Sequence, residues 1–175
     1  MTKPFFNRHS IRLKNFDYSS DGIYFITICT YKHLLLFGNI HNNRMFLNEY
    51  GKIANAFWLE TENIRTNITL GEFIIMPNHM HMIFGINESI DAMYDKTINE
   101  SKMNHSIFKP KSVGSIIGGY KSIVTSNMRK KGYREQIWQR NYYEHIIRNN
   151  ESLNSITQYI IENPSRWKTD SYYNE

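Results

Sequence analysis

Two histidines stand two residues apart in a nearly continuous apolar run, Ile74-Ile75-Met76-Pro77-Asn78-His79-Met80-His81-Met82-Ile83-Phe84. A run bounded by Gly71 and Gly85 and rich in Ile and Phe reads as buried strand. Strand side chains alternate, so His79 and His81 share one face while Met80, Met82 and Phe84 take the other. Pro77 cannot donate to a ladder and marks a break, a bulge or a strand start. Two imidazoles side by side can hold a divalent metal from one side and leave its other positions open. The same spacing also occurs in surface faces and in hydrogen-bonded histidine pairs. A site therefore needs a third ligand and a reacting group from elsewhere.

The end of the chain offers both. A helix capped by Asn149 or Asn150 runs through Leu153, Ile156 and Ile160 to Asn163, where Pro164 stops it. Tyr159 and Asn163 are one turn apart, about 40° around the axis, at the edge of the apolar stripe and below Ser152 and Ser155. Asn163 presents a carbonyl oxygen, a hard ligand suited to Mg²⁺ or Mn²⁺. Glu162 is its rival, a harder ligand about 100° away on the helix. Tyr159 is the candidate nucleophile, although most of the 12 tyrosines must be structural. Tyr142 and Tyr143, near His145, are rivals without a polar partner one turn on. Paired His-x-Thr/Ser phosphoesterase motifs do not occur at His79, His81, His105 or His145.

These residues need a scaffold. Gly22 to Tyr31 reads as a strand, and Leu34–Phe37 with Arg44–Leu47 as a short hairpin around the turn signals Gly38 to Asn43. Asn48 caps a helix over about 49–63, marked by Tyr50, Ile53, Ala54, Phe57 and Trp58. Thr69–Ile75 is a strand leading into the histidine strand. Residues 86–111 are polar and aperiodic and read as an insertion. Ser112 caps a helix through Val113, Ile116, Ile117, Tyr120, Ile123 and Val124, closed by Arg129-Lys130-Lys131-Gly132. Gln136 to Ile147 reads as strand or extended segment. This order predicts an α+β, ferredoxin-like (split βαβ) antiparallel sheet with helices on one face, and an extra C-terminal helix carrying the tyrosine.

The chain has 175 residues, which suits a single domain over 1–175, and 41% of them are apolar, which suits a folded globule. Its net charge of +5 is compatible with a polyanionic partner. Arg12, Lys14, Lys121, Arg129, Lys130, Arg140 and Arg148 are the candidates to track phosphates, most of them in the half that holds Tyr159. Cys29 is the only cysteine, so no internal disulfide or Cys-based zinc site forms, and a reducing cytoplasm fits. The N-terminus lacks the apolar core of a signal peptide, and no apolar run approaches ~20 residues, so no membrane association is expected.

Three stretches together resemble one family. Pro77-Asn78-His79-Met80-His81 looks like the His-hydrophobe-His motif of the HUH nucleases. Tyr159-Ile-Ile-Glu-Asn163-Pro164 resembles the Tyr-x-x-x-Asn-Pro element of their single-tyrosine transposases. Trp138 to Arg148 is similar to the stretch before that element in the REP-associated tyrosine transposases, relatives of the IS200/IS605 group. Ser10 to Lys14 and Tyr24 to Thr30 are also similar, so the likeness covers most of residues 8–166. It implies a metal-dependent single-stranded DNA endonuclease and strand transferase acting on hairpin-bearing DNA through a 5′-phosphotyrosine at Tyr159. His79, His81 and Asn163 would hold Mg²⁺ or Mn²⁺. Members act as monomers or homodimers. The alternative is a non-catalytic nucleic-acid-binding ferredoxin-like module whose histidines only pack.

Overall fold

A computed structural model describes residues 21–87 and 112–173. Its elements are β1 (Gly22–Cys29), β2 (Gly38–His41), β3 (Arg44–Leu47), α1 (Glu49–Ile64), β4 (Ile68–Ile75), β5 (His79–Ile86), α2 (Val113–Lys130), β6 (Tyr143–Ile147) and α3 (Asn150–Glu162). A 3-10 helix, Asn163–Thr169, follows α3 directly. The sheet order is β4-β5-β1-β6 and every pairing is antiparallel, as a ferredoxin-like plan requires. The β2–β3 hairpin is inserted between the first strand and the first helix.

Alternation along the strands builds two cores. On one face Tyr24, Ile26 and Ile28 of β1 and Met80, Met82 and Phe84 of β5 pack with Ala54 and Trp58 of α1 and with Ile116, Tyr120 and Val124 of α2. On the other face Ile23, Phe25, Ile83 and Ile147 pack with Leu153 and Ile160 of α3. β5 is buried at every position, so His79 and His81 lie in a covered sheet face with α3 above it. Asn48, Ser112 and Asn149 cap the three helices through their side chains.

Several boundaries differ from expectation. The break expected at Pro77 between the two strands is a turn, Met76-Pro77-Asn78, closed by Met76 N–H to His79 O at 2.8 Å. Leu34–Phe37 is not a strand. Lys32 and His33 take left-handed φ values of 52° and 55°, Leu34 and Leu35 are exposed, and only Phe37 is buried. The hairpin instead turns at Asn42-Asn43, both at positive φ as a tight two-residue turn needs. Of Gln136–Ile147, only Tyr143–Ile147 is strand, with one further bridge from Trp138 to Thr30. Pro164 ends α3 but not the turn, since its fixed φ suits the start of the 3-10 helix. Ile86 completes β5, so the polar stretch begins after it. Residues 88–111, and Arg12 and Lys14, lie outside the described residues.

Candidate metal and tyrosine site

The antiparallel register of β1 and β5 sets Thr27 opposite His81 and Cys29 opposite His79. Thr27 Oγ1 lies 2.7 Å from His81 Nδ1. On the other ring, His79 Nδ1 lies 2.8 Å from Asn78 Oδ1. Asn78 Nδ2 donates to the carbonyls of Tyr172 (2.7 Å) and His33 (3.3 Å), which fixes its Oδ1 toward His79. Asn78 therefore accepts from His79 Nδ1–H, and Nε2 of His79 carries a free lone pair. Partners of this kind orient metal-binding imidazoles.

The two Nε2 atoms converge at 3.1 Å. Two nitrogens each ~2.1 Å from one octahedral ion sit about 3 Å apart, so the spacing matches shared coordination. Both rings are fully buried. Burial pushes the His81 pKa down to about 3. Burial, then His81 and His33, hold His79 well below its ordinary range. Neutral imidazoles are the form that ligates metal.

Tyr159, on α3, reaches over the sheet. Its hydroxyl is 3.1 Å from His81 Nε2. Phe25 organises this side: its ring stacks on His81 with centroids 5.5 Å apart and meets Tyr159 edge-on at 6.4 Å. Tyr159 is 37% exposed, so the residue stands at the wall of the site and is not enclosed in the core. Burial, then the charge of Asp170, raise its pKa, while the Asn163 amide lowers it.

Asn163, at the junction of α3 and the 3-10 helix, is 1% exposed. Its Oδ1 is buried with no hydrogen-bond partner. A buried carbonyl oxygen left unpaired costs free energy unless something binds it. Glu162 is not in the site: its carboxylate pairs with Arg166 and accepts from Gln158 at 2.5 Å. The helix rotation that separates the two positions explains the outcome.

Sequence reasoning missed a carboxylate. Beyond Pro164 the 3-10 helix carries the chain back over the sheet, and Asp170 Oδ2 comes to 3.9 Å from His79 Nε2. His79, His81 and Asp170 can bring ligand atoms within 4.8 Å of one another. Trp167 and Tyr172 wall this side, with the Tyr172 ring centroid 4.6 Å from that of His79. Two imidazole nitrogens, a carboxylate and an unpaired amide oxygen form a donor set that can hold a divalent metal ion.

The basic candidates are spread more widely. Lys121, Arg129 and Arg140 line one groove between α2 and the segment before β6. Lys121 Nζ is engaged there, donating to the carbonyls of Gln139 (2.9 Å) and Asn141 (3.2 Å). Lys130 ends α2, and Arg148 follows β6. Of the rival tyrosines, Tyr143 lies on β6 with its ring edge-on to Phe25 at 6.2 Å. Tyr142 packs at the margin of the opposite core.

No family model matches the chain. It is 40% identical to an uncharacterised protein of Haemophilus influenzae over 171 residues, 95% of this chain and 93% of that protein. It is 27% identical over 149 residues to a second protein of that organism, named "Putative REP-associated tyrosine transposase", covering 85% of this chain and 73% of that one. Its fold matches the structure of a REP-associated tyrosine transposase bound to a REP hairpin, with a TM-score of 0.58 at 18% identity, over 91% of this chain and 74% of that one. The class is thus a ferredoxin-like domain that shares its fold with that structure, with a His-x-His strand facing a tyrosine-bearing helix. By sequence the chain belongs to one family with the first Haemophilus protein, and it is similar at lower identity to the second, which is named as a REP-associated tyrosine transposase.

Proposed function

We propose that this protein is a metal-dependent endonuclease and strand transferase for single-stranded, hairpin-bearing DNA, with Tyr159 as nucleophile. The observation that carries the reading is the convergence of the Tyr159 hydroxyl and both histidine Nε2 atoms on one spot. A module that only bound nucleic acid would have no use for bare imidazole nitrogens beside a phenol and an unpaired amide oxygen.

His79 and His81 would hold a divalent ion through Nε2, with oxygens from Asn163 and Asp170. When bound, that ion supplies a Lewis acid that polarises the scissile phosphate. The chain's own residues do the rest. Asn78 holds His79 in one tautomer, and Thr27 holds the orientation of His81. Phe25 and Ile160 fix the plane of approach of α3. The Tyr159 oxygen attacks phosphorus, the bond to the 3′-oxygen breaks, and the phenol loses its proton as the departing 3′-hydroxyl gains one. The 5′ end stays on Tyr159 as a phosphodiester. Phenolate leaves more readily than an alkoxide, its ordinary pKa being about 10, so a 3′-hydroxyl from another strand can reverse the step without ATP.

The net charge of +5 and the name of the relative support a DNA partner, and a cytoplasmic location goes with that reading. Among the described residues no helix is long and apolar enough to cross a membrane. The test is incubation with a hairpin oligonucleotide that carries single-stranded flanks, with Mn²⁺ or EDTA. The proposal expects a 3′-hydroxyl product and an equimolar protein-linked 5′ fragment in Mn²⁺ alone. A product with a free 5′-phosphate and no linked fragment would contradict it.

A further inference from the structure

A groove of about 500 Å³ opens between α2 and residues 138–140, away from the histidine face. Its floor is built by tethering. Lys121 Nζ donates to Gln139 O and Asn141 O, and Trp138 Nε1 donates to Lys121 O at 3.1 Å. With Lys121 occupied in this way, the ligand-facing cations are Arg129 and Arg140, both exposed. Ser122, Thr125, Ser126 and Arg129 follow the i, i+3, i+4, i+7 spacing of one helix face. Small hydroxyl residues leave the room, and no lining residue is acidic.

The groove also connects to the site. Gln139, in its lining, donates its backbone N–H to Cys29 O at 2.9 Å, and Cys29 lies opposite His79 in the sheet register. The Gln139 side-chain nitrogen lies 2.9 Å from His33 Nε2, and the His33 ring packs on Tyr172, which walls the histidines.

We infer that this groove holds the sugar–phosphate backbone of the single-stranded flank next to the hairpin, so that the strand passes Gln139 on its way to Tyr159. This rests on the DNA-processing reading and adds to it the place where the flank is held and the residues that hold it. The groove is wide open to solvent along its length, and about 500 Å³ leaves room for a nucleotide or two of single strand rather than a duplex. Two arginines and a row of hydroxyls offer contacts to phosphate and no pattern for reading bases.

The experiment compares two DNAs with the same hairpin, one blunt and one flanked, by fluorescence anisotropy over a salt series in EDTA. Wild-type protein binds the flanked DNA more tightly. Arg129→Ala with Arg140→Ala should remove at least ~10-fold of that affinity, leave blunt-hairpin binding unchanged, and lower the log–log salt slope for the flanked DNA by about 1.4 for two lost phosphate contacts. Ser126→Trp fills the groove without changing charge and should give the same selective loss of affinity. Equal losses for both DNAs, no loss, or a loss confined to the arginine variants would overturn the inference. Flank-selective binding by a protein that forms no adduct would fault the chemistry alone, while adduct formation without flank selectivity would fault the groove alone.

Discussion

The Tyr159 hydroxyl stands 3.1 Å from His81 Nε2 although 78 residues separate them in the chain. The sheet makes this possible. α3 lies on the face that His79 and His81 share, and Ile160, next to the tyrosine, locks into the core below it. The proposed nucleophile and metal-binding atoms are thus held by regular elements, and precise placement of reacting groups is worth orders of magnitude in rate.

On the proposed reading, removing either imidazole removes a metal ligand. His79→Ala and His81→Ala should each lower cleavage on the order of 1,000-fold, the effect of losing about 4 kcal/mol of charge stabilisation. Hairpin binding in EDTA should be unchanged. Single-turnover cleavage and anisotropy on the same samples check both, and a variant that cleaves at the wild-type rate in saturating Mn²⁺ would remove its histidine from the site.

Thr27 is a residue that spacing does not reveal. Thr27→Val keeps the shape and loses the oxygen that faces His81 Nδ1. Metal affinity should fall roughly 10- to 100-fold, as for other residues that orient a ligand. Mn²⁺ titration by electron paramagnetic resonance reads this directly, and an unchanged dissociation constant would make the hydroxyl irrelevant to the metal.

The two oxygen donors differ in charge, so they separate in titration. Asp170→Asn removes an anion within reach of His79 Nε2 and should weaken Mn²⁺ binding at least ~10-fold. Asn163→Ala should weaken it less and should leave a cavity where the unpaired amide sat. Glu162→Gln should leave metal binding alone, because that carboxylate is occupied by Arg166 and Gln158. Calorimetric titration decides, and an effect of Glu162→Gln larger than that of Asp170→Asn would reverse the assignment.

The histidines should make the metal-free protein acid-labile. In the unfolded chain both protonate near ~6.5. In the folded chain burial holds His79 well below its ordinary value of 6.5 and His81 at about 3. The folded state therefore binds fewer protons, and its stability, full above ~6.5, falls as the pH drops from there toward 3. The limiting slope is about 1.4 kcal/mol per pH unit for each histidine. Urea unfolding in EDTA between pH 7.5 and 4.5 measures it. His81→Gln should show a shallower loss, and parallel curves would show that the ring does not drive the effect.

Most of this arrangement could be read before the fold was seen. Alternation put His79 and His81 on one face, and helical spacing put Tyr159 at the edge of the Leu153–Ile160 stripe above Asn163. Thr27 could not be found, because its place opposite His81 depends on strand register, which is a non-local property. Asp170 was hidden by Pro164: a helix-stopping proline gives no sign that the chain turns back through a 3-10 segment. The Leu-Leu-Leu-Phe run misled because its apolar residues suggest a strand, whereas left-handed residues at Lys32 and His33 turn the chain first and leave two leucines in solvent.

The chemistry rests on Tyr159 and is most directly tested by mapping the covalent adduct. Wild-type protein, Tyr159→Phe, Tyr142→Phe and Tyr143→Phe are incubated with flanked hairpin DNA and Mn²⁺, resolved under denaturing conditions, and the linked peptide is sequenced by mass spectrometry. Tyr159→Phe loses one oxygen from a part-exposed ring, so it should fold and bind DNA as the wild type does. The expected result is a nucleotide on the peptide containing Tyr159, present in the wild type and both control variants and absent from Tyr159→Phe. An adduct on Tyr142 or Tyr143, or undiminished cleavage by Tyr159→Phe, would contradict it.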